Sequence, residues 1–156
     1  MNLEKTSHKS NKKLRKIAKA IWVFNWFNSC GFTEILPVVG SRWDMERFGL
    51  VPVSSPRQAD CLIIAGYQTM KSIKRAKLIY EQMPSPKLVI ALGSCPATGG
   101  MYWDSYNTIK KLDDYIPVDL YIPGCPPRPE AIFDGIRKLI LKFKRKAQNA
   151  KRKTTT

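Results

Sequence analysis

Three of the four cysteines in this chain stand where the backbone is expected to reverse. Cys30 lies in Asn28-Ser29-Cys30-Gly31, Cys95 in Gly93-Ser94-Cys95-Pro96 and Cys125 in Pro123-Gly124-Cys125-Pro126-Pro127. No Cys-x-x-Cys pair is present. Thiolates carried on turns and far apart in sequence suit a soft metal centre assembled by folding better than a zinc knuckle. An iron–sulfur cubane ordinarily takes four thiolates, so three leave one iron to a foreign ligand or to a substrate. The sole histidine is His8, near the basic start of the chain, which argues against Ser–His or Cys–His hydrolase chemistry and against Cys–His zinc sites. Cys61 differs from the other three because it opens an apolar run, where a thiol behaves as a small buried hydrophobe.

Positioning such cysteines requires a scaffold, and the pattern from Leu50 onward is strand alternating with helix. Cys61–Ala65, Leu88–Leu92 and Val118–Ile122 are continuous apolar runs bounded by Gly and Pro, the look of strands buried on both faces. Met70–Met83 reads as an amphipathic helix closed by Pro84 and Pro86, and Pro129–Lys146 as a long helix with proline in its first turn. Phe32–Val39 reads as a short helix after Cys30. The expected fold class is α/β, a parallel sheet flanked by helices. Open sheets of this kind present ligands at the carboxyl ends of their strands, where Cys95 and Cys125 both fall. Gly93, Gly99, Gly100 and Gly124 let a loop wrap closely round an inorganic core, and Pro96 and Pro126 stiffen the turns just after their cysteines.

The 156 residues suit one domain with tails, and the net charge of +15 belongs to the ends. Seven basic residues lie in 1–20 and nine in Arg137–Lys153, whereas 21–136 holds eleven basic and eleven acidic residues. A neutral middle counts against a nucleic-acid-binding protein, which needs a basic face on its folded core. The expected division is a basic tail or interfacial helix at 1–20, a metal-binding α/β domain at 21–146 and a disordered basic tail at 147–156. Leu14, Ile17 and Ile21 share a helical spacing over Lys5–Ile21, and Trp22, Phe24, Trp26 and Phe27 follow. That combination suits either an interfacial helix at a membrane or a basic tail whose aromatics enter the core. No secretory signal is visible, so cytoplasmic residence with reduced thiols is expected. The window Ile21–Val39 is too interrupted by polar residues to span a bilayer.

Four segments carry a family resemblance: Ser55-Pro56-Arg57-Gln58-Ala59-Asp60, Tyr80-Glu81-Gln82-Met83-Pro84, Gly93-Ser94-Cys95, and Pro117-Val118-Asp119 with Tyr121-Ile122-Pro123-Gly124-Cys125-Pro126-Pro127. Together they resemble the B-type iron–sulfur subunit of respiratory complex I, and with it the small subunit of membrane-bound NiFe hydrogenases. The resemblance implies a flavodoxin-like α/β fold with one 4Fe-4S cluster held by Cys30, Cys95 and Cys125. It also implies a large hydrogenase-like or complex I-like partner, a ferredoxin-like iron–sulfur subunit and membrane-arm subunits, with the chain peripheral on the cytoplasmic face of the membrane. Asp44, Glu46 and Arg47 resemble family positions near the large subunit. Arg57 and Arg128 stand near the candidate loops, and Tyr102, Trp103 and Tyr106 are expected to pack or to face a partner.

The departure from the family pattern concerns the first ligand motif. Complex I relatives carry two adjacent cysteines followed by a glutamate, where this chain reads Cys30-Gly31-Phe32-Thr33-Glu34, so Gly31 replaces a thiolate. The fourth iron is then open to Glu34, to water or hydroxide, to a ligand from another subunit, or to a sulfur substrate. Carboxylate is a hard donor for such a site. Glycine is expected to leave room for an incoming molecule. A sulfane sulfur substrate, polysulfide or disulfide, makes the chain resemble membrane-bound sulfane sulfur reductases. The alternative is an electron relay to quinone or another acceptor, with a non-cysteine fourth ligand.

Overall fold

The computed structural model describes residues 20–28 and 30–153. The strands are β1 (Ile21–Phe27), β2 (Leu50–Pro52), β3 (Cys61–Ala65), β4 (Leu88–Leu92) and β5 (Leu120–Ile122). The helices are α1 (Cys30–Val39), α2 (Met70–Gln82), α3 (Cys95–Thr98) and α4 (Pro129–Lys153). All pairings are parallel in one sheet of order β2-β1-β3-β4-β5. Helices flank it, so the fold is the expected flavodoxin-like α/β arrangement.

Alternation along the central strands feeds two cores. Cys61, Ile63 and Ala65 of β3 and Leu88, Ile90 and Leu92 of β4 join Ile35 and Val38 of α1 and Ile132, Ile136 and Leu139 of α4. Leu62, Ile64, Val89 and Ala91 face the other way and meet Ile73 and Ala76 of α2 with Ile109, Leu112 and Ile116. Burial on both faces is the reason these strands read as unbroken apolar runs. A capping box starts α2: Ser72 N donates to Thr69 Oγ1 at 3.2 Å, and Thr69 N donates to Ser72 Oγ at 2.8 Å.

The sequence pattern does not reveal β1. Ile21 is not the end of a helix; it opens a strand paired to β2 and β3, and its N–H donates to Gly49 O at 2.7 Å. The helical spacing carried forward from Leu14 and Ile17 masks a run, Ile-Trp-Val-Phe-Asn-Trp-Phe, whose β-branched and aromatic residues favour a strand. Val23 is wholly buried beneath it, while Phe24 and Trp26 pack on the α2 side. The expected tail or interfacial helix at 1–20 lies outside the described residues but for its last position. At the other end α4 runs beyond Lys146 to Lys153, so residues 147–153 are helical rather than disordered. That stretch has Ala, Gln, Asn, Lys and Arg and no Gly or Pro, so nothing in it breaks the helix.

Helix α1 begins at Cys30 itself, not at Phe32, and its second residue meets the end of β3 backbone to backbone. A methyl group on Gly31 would lie 2.5 Å from the Ala65 carbonyl carbon, 2.6 Å from its oxygen and 2.8 Å from Gly66 N. This corrects the expectation that glycine here leaves an open space. The missing side chain is replaced by a strand end, and a thiol could not be added on this backbone without moving it.

The short strand β5 is extended by a side chain. Asp119 N donates to Val89 O at 2.9 Å, and Asp119 Oδ2 accepts from Val89 N at 2.9 Å. The carboxylate thus takes the place of a ladder carbonyl beside β4, which gives the Pro117-Val118-Asp119 motif its physical role.

Both contacts can be tested by substitution. Gly31→Ala lowers unfolding free energy by about 1–3 kcal/mol, the usual range for overpacking a rigid site. Asp119→Ala leaves Val89 N–H without its acceptor and costs about 1–3 kcal/mol, while Asp119→Asn keeps an acceptor oxygen and most of the stability. Denaturant unfolding of the variants checks both, and unchanged midpoints count against these contacts.

Candidate metal centre

Because every strand runs the same way, the segments that leave β1, β3, β4 and β5 emerge on one edge. Cys30 opens α1 just past β1, Cys95 opens α3 just past β4, and Cys125 lies in the turn between β5 and α4. β3 separates the Cys30 strand from the Cys95 strand, so their exits are about 10 Å apart at ordinary strand spacing. Cys30 and Cys125 are exposed, and Cys95 is 6% exposed. No disulfide joins any of the four cysteines.

Backbone bonds lock the Cys95 and Cys125 loops together. Ser94 N donates to Gly124 O at 2.8 Å, Ser94 Oγ donates to the same oxygen at 2.9 Å, and Gly93 N donates to Ile122 O at 2.9 Å. Gly124 makes this possible at a φ of 148°, against the Pro127 ring. A methyl on Gly100 would lie 2.9 Å from Cys95 Sγ, so this glycine makes room for the thiol.

The Cys30 turn is held from the β3 side. Gly31 N donates to Asn28 O at 2.8 Å, and Gly66, at a φ of 75°, lies against the Asn28 carbonyl and Gly31 N. The segment 66–68 then reaches the Cys95 side, where the Tyr67 and Tyr102 rings lie 4.7 Å apart. Sequence reasoning missed this fourth loop, which carries no cysteine. Its one legible signal was Gly66 closing an apolar strand.

Cys61 is set apart by chemistry as well as place. It is 1% exposed on the α1 and α4 side of β3, and burial, with Asp119 and Asp60 adding, pushes its thiol far up. Burial disfavours its thiolate form and keeps the thiol away from the edge where the other three cysteines lie. Among the described residues no three His, Cys, Asp or Glu side chains come close enough to hold one metal ion. Three thiols on three loops spread over four strands fit a ligand that itself has size, and an all-sulfur donor set fits iron–sulfide chemistry.

The remaining sequence candidates lie on the surface. Arg57 and Arg128 are exposed, as are Glu46 and Arg47. Arg47 Nη2 donates to the Trp43 carbonyl at 3.1 Å, and its guanidinium lies 5.5 Å from the Phe48 ring centre. Asp44 adopts a φ of 43° at the start of that turn. Trp103 is 64% and Tyr106 wholly exposed, beside Met101 at 74%. Among the described residues no helix is long and apolar enough to cross a membrane.

Comparison with known proteins agrees with this architecture. The chain is 57% identical over 121 residues to NAD(P)H-quinone oxidoreductase subunit K 1 of Gloeobacter violaceus, covering 77% of this chain and 52% of that one. It is 53% identical over 127 residues to the chloroplastic subunit K of Draba nemorosa, covering 81% and 56% respectively. The chain thus spans little more than half the length of these relatives. A chain in the solved structure of the membrane-bound sulfane sulfur reductase, an archaeal respiratory membrane complex, is 50% identical with a TM-score of 0.81. That match covers 85% of this chain and 75% of the other. Residues 29–139 match the family described as NADH ubiquinone oxidoreductase, 20 Kd subunit, and the chain belongs to that family.

Proposed function

We propose that the chain is the electron-transfer subunit of a membrane-bound oxidoreductase complex, in which Cys30, Cys95 and Cys125 hold one 4Fe-4S cluster and sulfane sulfur is the acceptor. The observation that carries the reading is the set of three thiol-bearing segments on one sheet edge, with the remaining cysteine sealed inside β3. The fourth iron has no thiolate of this chain to bind it. When bound, the cluster would supply one-electron storage, and two electrons delivered in succession would cleave one S–S bond, turning a disulfide into two thiolates or a polysulfide into sulfide and a chain one sulfur shorter.

The chain's own residues supply the cradle. The Ser94–Gly124 bonds hold the Cys95 and Cys125 thiols in fixed relation, which limits the entropy lost on binding. Gly100 gives Cys95 Sγ its space, and the Gly31–Ala65 contact seats Cys30. Thiolate products need no prior protonation, so no side-chain acid is required. The exposed Met101, Trp103 and Tyr106 near the Cys95 loop provide apolar area for a large hydrogenase-like or complex I-like partner. A ferredoxin-like subunit delivers electrons, and membrane-arm subunits place the chain peripherally on the cytoplasmic face.

The similarity to quinone oxidoreductase subunits favours a second reading, a relay to quinone in which a non-cysteine ligand caps the fourth iron. The two readings differ in what the reduced complex does with a disulfide. Under the first, adding polysulfide or a dialkyl disulfide changes the electron paramagnetic resonance of the reduced cluster and releases thiol. Under the second, the signal is unmoved and only quinone reoxidises the complex.

The ligand assignment has its own test. Cys95→Ser and Cys125→Ser each lose the cluster, measured as iron and acid-labile sulfide in the purified complex, while Cys61→Ala retains it. Full iron and sulfide content in either serine variant removes that cysteine from the ligand set.

A further inference from the structure

Gln68 is the one polar side chain that is almost wholly buried among the described residues, at 1% exposure. Its Oε1 accepts from Trp26 Nε1 at 3.1 Å and from Ser72 Oγ at 2.9 Å, and its Nε2 donates to Ala65 O at 3.4 Å. One amide thus binds the end of β1, the capping box of α2 and the end of β3. The Ala65 carbonyl that it engages is the group filling the space beside Gly31.

The two residues before Gln68 touch both thiol-bearing sides of the edge. Gly66 lies against the Asn28 carbonyl and Gly31 N, in the turn that carries Cys30. The Tyr67 ring packs at a tilt against Tyr102, centroids 4.7 Å apart, in the segment that follows Cys95. The segment 66–68 is therefore a spacer between these two sides. Its backbone is tied outward by Ile109 N donating to Gln68 O at 2.9 Å, and its side chain is tied inward to the sheet. A buried amide bonded at both its oxygen and its nitrogen favours one position, whereas an apolar side chain of that size tolerates several.

We propose that Gln68 is a positioning residue for the metal centre: it sets the 66–68 segment, and that segment sets the separation between the Cys30 turn and the Cys95 loop. The role rests on the reading that Cys30 and Cys95 hold one cluster. Gln68 touches no thiol and takes no part in the chemistry.

The test uses the purified complex carrying Gln68→Leu together with Trp26→Phe, so that no indole N–H is left buried without an acceptor. Amide hydrogen exchange is read by mass spectrometry, and the reduced cluster by electron paramagnetic resonance. Exchange is expected to rise about tenfold in peptides covering residues 28–31 and 99–102, with residues 88–92 unchanged. The cluster's g values are expected to shift in the same variant. A uniform rise that includes residues 88–92 makes Gln68 merely stabilising and overturns the proposal. Unchanged exchange at the two loops, or a local rise with unaltered g values, overturns it as well. Absence of any cluster signal in the unaltered complex sinks the ligand reading and this role with it, and the exchange data then show separately whether Gln68 holds the two loops.

Discussion

The parallel ladder between β1 and β3 is the constraint on which the site depends. Its five residue pairs run from Val23 beside Cys61 to Phe27 beside Ala65. That register brings the residue after Phe27 level with Gly66, and so places the Asn28–Gly31 turn against the end of β3. Shifting the register by one residue would exchange every side chain between the two cores. Val23, buried completely, and Leu62 and Ile64, buried on the opposite face from Cys61 and Ile63, make such a slip expensive.

From that register the edge is built outward by close backbone contacts, to which the Ser94 hydroxyl and the Gln68 amide add side-chain bonds. Glycine appears where peptide meets peptide, at Gly31 against Ala65 and at Gly66 against Asn28. The Cys95 and Cys125 segments are joined in the same manner, through the Gly124 carbonyl. Side chains mounted on such segments inherit the rigidity of the sheet. The exposed Cys30 and Cys125 and the sealed Cys61 differ in exposure according to their place beyond a strand or within one.

The Gly31 position shows where reasoning from composition goes astray. Glycine is compatible with an open space and equally with a crowded one, because it lacks a side chain in either case. Only the neighbouring chain distinguishes the two, and here the neighbour is the β3 terminus. The absence of a second thiolate is a property of the residue. The absence of room is a property of the fold.

Strands β3, β4 and β5, helices α2 and α4, the α/β class and the three turn-borne cysteines were legible in the chain, because apolar runs, helical spacing and glycine–proline punctuation are local signals. The strand β1 was not, since its aromatic run followed a helical spacing without a break and its partners Leu50 and Cys61 are distant in sequence. Nor were the Gly31–Ala65 contact, the bond from Val89 to Asp119 or the buried Gln68, each of which joins residues three to more than thirty positions apart across strand ends. Residue types state which donors and which turns exist. Which donors share an edge, and what fills the space between them, depends on strand order and register, and these arise only when the sheet closes on both of its cores.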